Sequence, residues 1–101
     1  MRVIIVTRIP DWSSSSLLKS LLESASKIYL VEDGVYLAID SPFSRALLQS
    51  LLEKGVRVIV SRRDLETRGV SLEELLEGVR VKREVYPDIA NDVLNGNTVV
   101  I

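Results

Sequence analysis

Short aliphatic runs alternate along this chain with stretches whose apolar residues recur at helical spacing. Residues 2–6 form an unbroken β-branched run. It stops at Thr7-Arg8-Ile9-Pro10-Asp11-Trp12, where Pro10 ends a strand and Asp11 opens a turn. The serines at 13–16 offer N-caps, and Leu17, Leu18, Leu21, Leu22 and Ala25 then fall on one face of a helix. Residues 28–31 read as a second buried strand. Ser41-Pro42 supplies an N-cap with proline at the first helical position. Phe43, Leu47, Leu48, Leu51 and Leu52 make the apolar face of that helix, and Gly55 stands where a terminal glycine belongs. A third strand follows at once over 56–60.

The segment around Asp33-Gly34 has two readings. Asp-Gly between 28–31 and 35–39 is a type I′ hairpin signal, and it equally marks the open carboxyl end of a buried parallel strand. Further on, Ser71-Leu-Glu-Glu74 matches a capping box, with Leu72, Leu75 and Leu76 as a small apolar face and Gly78 before a short strand at 79–81. Pro87 begins a helix carrying Ile89, Ala90, Val93 and Leu94. Asn95-Gly96 ends it, and 98–101 closes as a strand. Alternating strands and helices predict an α/β fold: a compact three-layer α/β/α sandwich, its five-stranded sheet mostly parallel and joined by right-handed crossovers.

With 101 residues the chain is expected to form one domain over 1–101. Hydrophobic residues at 47% and charged ones at 27% are the composition of a folded protein, not a disordered one. Thirteen basic against 14 acidic residues leave a net charge of −1, which removes the general electrostatic attraction that nucleic acid or an anionic membrane would exert. No apolar run approaches the ~18 residues of a membrane span, and the opening residues lack a signal-peptide core, so a cytoplasmic location is expected. The chain has no Cys and no His. Disulfides, thiolate nucleophiles, a persulfide on this chain and imidazole proton transfer are therefore excluded, which favours a partner protein over an enzyme. A positive mean hydropathy in so small a chain further predicts self-association.

Open α/β sheets place their sites at the carboxyl ends of the strands. Here that rim gathers Arg8, Glu32, Asp33, Arg62, Arg63 and Asp64, a ligand or partner surface of mixed charge or a set of solvated loop residues. Glu32 and Asp33 form a candidate metal or acid pair by sequence, although neighbours along a chain often diverge in space. Ser16-Leu-Leu-Lys19 has the spacing of certain acyl-transfer enzymes, but without their companion motifs it reads as a cap and an exposed lysine. No glycine-rich phosphate loop follows any strand. Arg80, Lys82 and Arg83 form a small basic cluster at a strand end. Trp12, Tyr29 and Tyr36 lie near loops, where an aromatic serves an interface or equally covers the end of the core, and of the three Trp12 leans toward an interface.

Glu32-Asp-Gly-Val35 followed by Asp64-Leu-Glu-Thr-Arg-Gly-Val70 resembles the TusB/DsrH family of small sulfur-relay subunits. That family's pattern is an aliphatic strand ending in an acidic or amide pair with Gly-Val, a further strand, then Asp-Leu-x-x-Arg-Gly. The loop from Thr7 to Trp12 is similar to the family's polar-Arg-x-Pro-Trp loop, with one residue extra. The resemblance spans about residues 1–80 and adds Gly34 and Arg68 to the rim. It implies a DsrE/F/H-like sandwich in which a helix, not a returning strand, follows Gly34. It also implies DsrE-like and DsrF-like paralogous partners, a cysteine on the DsrE-like partner carrying the persulfide used in tRNA 2-thiouridine formation or sulfur oxidation. The longer second helix over 41–55, and a tail from Arg83 onward without the family's aromatic-rich segment, depart from the pattern.

Two functional readings follow. The first is a non-catalytic, cysteine-free subunit of a sulfurtransferase complex that needs no cofactor or metal of its own. The alternative is a stand-alone homo-oligomeric α/β domain that binds a small anionic ligand at the strand-end rim through Arg8, Arg62 and Arg63.

Overall fold

The computed structural model describes residues 1–9 and 15–101, with Ser15 described by its backbone alone. Trp12 and the first capping serines lie outside the described residues. Strand β1 (Val3–Val6) leads to helix α1 (Ser15–Glu23) and strand β2 (Lys27–Leu30). A 3₁₀ helix over Glu32–Ala38 runs into α2 (Pro42–Glu53), followed by β3 (Arg57–Ser61) and a short α3 (Arg62–Thr67). A second 3₁₀ turn (Leu72–Glu74), β4 (Arg80–Lys82), α4 (Tyr86–Leu94) and β5 (Thr98–Val100) complete the order. Local chemistry accounts for the boundaries. Ser41 Oγ accepts the Ser44 amide at 3.1 Å with Pro42 beside it, and the Ser71/Glu74 capping box is formed.

The five strands are parallel and ordered β4-β3-β2-β1-β5. From β1 to β4 the chain steps in one direction, so right-handed crossovers place α1, α2 and α3 on one face. It then turns back across the sheet to reach β5, and the same handedness puts α4 on the other. The burial agrees. Ile4, Val6, Ile28, Leu30, Val58 and Val60 form a core with leucines of α1, α2 and α3, while Val3, Ile5, Tyr29 and Val31 pack with Val85 and Ile89. Among the described residues the sandwich is therefore lopsided: α1, α2 and α3 lie on one side and α4 on the other.

The hairpin reading of Asp33-Gly34 is overturned. A type I′ turn needs positive φ at its central residues, but it is Glu32 that has φ 51°, and the chain enters a 3₁₀ helix instead of returning. Gly34 serves another purpose. A Cβ there would lie 2.0 Å from the Val6 carbonyl oxygen, so glycine is required because the helix passes directly against β1. The short helix α3 is an element that the apolar pattern did not predict, and residues 2, 31, 56, 79 and 101 fall outside the strands assigned to them.

Candidate functional site at the strand ends

The site is built where β2 and β3 end side by side. Ser61, fully buried at the end of β3, caps α3 by accepting the Asp64 amide at 3.2 Å. That turn brings the Asp64 carboxylate over the end of β2, where Oδ2 accepts the Glu32 backbone N–H at 2.8 Å and the Tyr86 hydroxyl at 2.7 Å. Glu32 is thereby held in the left-handed region, which a non-glycine residue seldom adopts. One turn along α3, Arg68 Nε donates to Asp33 Oδ1 at 2.8 Å, and its Nη1 donates to the Asp64 carbonyl at 3.3 Å. The two sequence motifs are thus the two halves of one latch, with Gly34 letting the first half sit against β1.

The electrostatics follow the same contacts. Burial works to raise the Asp64 carboxyl, but the Glu32 amide, Tyr86 hydroxyl and Arg68 charge together hold it below the usual carboxylate range. Burial and the bond to Asp64 push Tyr86 up to about 12. The Asp33 carboxylate raises Arg68. Asp64 is accordingly an ionised acceptor that organises two loops.

The other predicted rim residues sit around this latch and are less constrained. Arg62 pairs with Glu66 at 3.0 Å within α3, and Arg63 with Glu84 at 3.4 Å. Both pairs are exposed and of the kind that contributes about 0–1 kcal/mol. Arg8 is exposed beyond β1. The acid pair separates as well, since Asp33 is taken by Arg68 while Asp64 is bound by the amide of Glu32 and not by its carboxylate. Among the described residues no group of three or more His, Cys, Asp or Glu is arranged to hold a metal ion.

Two features escaped the sequence reading. Tyr86 joins the latch from α4, 22 residues from Asp64. On the α4 side of the sheet, Tyr29 donates to Asp92 Oδ2 at 2.6 Å and Lys27 Nζ to the same oxygen at 3.0 Å. Tyr29 is 1% exposed and burial raises its pKa strongly, while its hydroxyl and then Lys27 keep Asp92 lowered. This cluster borders an open pocket of about 230 Å³ lined also by Arg57, Lys82, Asp88 and Asn91. Lys82, one of the predicted basic cluster, is paired there with Asp88. The pocket's lining includes Lys27–Asp92 and Lys82–Asp88 ion pairs, so much of its charge is internally matched.

A parallel five-stranded sheet between helices, with its strand-end loops locked to each other, defines the class as a small three-layer α/β sandwich. The DsrH like protein family matches residues 11–94, and the chain belongs to that family of sulfur-relay proteins. Solved structures share the fold. MTH1491 from Methanobacterium thermoautotrophicum superposes with a TM-score of 0.75 at 24% identity, over 99% of this chain and 98% of that one. The ychN protein from E. coli gives 0.73 at 19% identity over 100% and 99%, and BT1422 from Bacteroides thetaiotaomicron gives 0.71 at 15% over 99% and 94%. No match was found among curated proteins. Among the described residues no helix is long and apolar enough to cross a membrane.

Proposed function

We propose that this chain is a non-catalytic subunit of a sulfur-relay complex, positioned beside a DsrE-like and a DsrF-like paralogue and serving tRNA 2-thiouridine formation or sulfur oxidation. The observation that carries the reading is a DsrH-like chain with no cysteine at all. Sulfur relay proceeds by a thiolate attacking the outer sulfur of a persulfide, the donor cysteine leaving as thiolate. A chain without thiols takes neither role, so its contribution is shape and charge. On this reading its partner-facing surface is the strand-end rim, with Arg8, Glu32, Asp33, Arg62, Arg63, Asp64 and Arg68; Gly34 is buried beneath it against β1, and Trp12, assigned to the same surface from the sequence, lies outside the described residues. The latch supports this, because it holds the rim backbone in one conformation and so lowers the entropy lost on docking.

The anionic-ligand reading has weaker support, since Arg62, Arg63 and Arg68 each already face a carboxylate. Coexpression of the tagged chain with a cysteine-bearing DsrE-like paralogue tests the proposal. A stoichiometric complex that weakens on Arg62→Glu with Arg63→Glu is expected. Persulfide transfer by the paralogue at the same rate with and without this chain, together with no complex, would remove the reading.

A further inference from the structure

We infer that two copies of this chain associate through the outer edge of β5, extending the sheet across a two-fold axis. The two sheet edges are unlike. At the β4 edge Arg80 and Lys82 are exposed and Arg83 follows, and an edge strand carrying such charges discourages pairing with another chain. At the other edge, Thr98–Val100 carries no charge, and among the described residues nothing pairs with its outer side.

The hydrogen bonding shows which groups are available. Asn97 O accepts from Val3, Ile101 N donates to Ile5 O, and Ile101 O accepts from Thr7, so alternate residues of β5 face β1. By that alternation the N–H and C=O of Thr98 and Val100 face outward. An antiparallel partner centred on Val99 would place Thr98 opposite the second copy's Val100, and each such pair exchanges both backbone bonds.

Exposed apolar side chains on this edge and close to it in sequence favour a second copy over a charged partner. Val100 is 62% exposed, and at the end of α4, joined to β5 by residues 95–97, Val93 is 50% and Leu94 85% exposed. A two-fold interface sets a patch against itself, so charged residues near the axis meet their like while an uncharged apolar patch is self-complementary. This edge meets that condition and the β4 edge does not. The inference is independent of the sulfur-relay reading, because it concerns the chain without any paralogue.

The test uses the purified full chain alone. Light-scattering mass is measured over a concentration series for the parent, Val100→Lys, Leu94→Lys and the control Leu17→Lys, whose site on α1 is 74% exposed. Amide exchange of Thr98 and Val100 in the parent is followed over the same series. A parent dimer that becomes a single chain in Val100→Lys and Leu94→Lys but persists in Leu17→Lys, with Thr98 and Val100 slowing as concentration rises, is the expected result. A parent mass of one chain at submillimolar concentration overturns the inference. So does an assembly that survives both lysines, or one in which the two amides exchange at a concentration-independent rate. Should Val100→Lys fail to fold, parent exchange and Leu94→Lys decide the matter.

Discussion

Gly34→Ala tests the close approach between the 3₁₀ helix and β1. The added Cβ would stand 2.0 Å from Val6 O and 2.7 Å from Val6 C, where ordinary contact begins near 3.4 Å, so the two main chains must part by more than an ångström. Neither side yields easily. Val6 O accepts the Val31 amide at 3.0 Å, and Gly34 N donates to Val31 O at 2.8 Å. Overpacking a core typically costs about 1–3 kcal/mol, and each strained backbone bond adds part of the about 0.5–1.5 kcal/mol it contributes. We expect a loss of about 3 kcal/mol on these scales. Urea denaturation measures it directly: with m of about 2 kcal/mol/M the midpoint falls by roughly 1.5 M. Gly55→Ala is the control, since Gly55 has φ 88° but open space around it, and the left-handed conformation alone costs about 1–2 kcal/mol. A Gly34→Ala protein within about 0.5 kcal/mol of the parent, near the ordinary scatter of surface substitutions, would refute the steric argument. So would one less affected than Gly55→Ala.

Three further predictions concern polar contacts, two of them anchors of α4. Asp92→Ala leaves Lys27 and Tyr29 without their shared acceptor, so denaturation should show a loss of about 3 kcal/mol, as for a broken buried pair; Arg62→Ala, removing an exposed pair, should change stability by less than about 0.5 kcal/mol. Tyr86 holds its proton to about pH 12 in the folded chain against 10.0 ordinarily. Its contribution is therefore intact below about pH 10 and lost as pH rises towards 12, and Tyr86→Phe should flatten the fall in denaturation midpoint across that window.

The sheet and α2 were legible because their signals are local. Unbroken aliphatic runs marked the strands, and Ser41-Pro42 with Gly55 bracketed a helix whose leucines recur at helical spacing. Helix α3 was not, because it buries only Leu65 and so has no apolar stripe; its cap, Ser61, is itself the last residue of β3, one past the strand read over 56–60. The turn at Asp33-Gly34 was ambiguous for a different reason. What decides it is the passing Val6 carbonyl, 28 positions away, which no short-range rule contains. Glu32, Asp33, Asp64 and Arg68 were marked by their position at strand ends and by the motif spacing, and they do converge. Tyr86 and Asp92 gave no local signal, since their partners lie 22 and 63 residues away in sequence.

The position of β1 also bears on how the chain folds as it is synthesised. It is made before the other four strands of this sheet, yet it lies inside the sheet, and its neighbour on one side, β5, is made after the other three. Until β5 emerges from the ribosome, one edge of β1 stays open, and until α4 docks, Val3, Ile5, Tyr29 and Val31 stay uncovered. Pairing of β1 with β2, β2 with β3 and β3 with β4 is available early, whereas closing the sheet waits for a contact spanning nearly the whole described chain, the slow kind of step. The nascent protein thus passes through a one-sided stage that exposes its aliphatic strands, and that interval is when a chaperone would find most to hold.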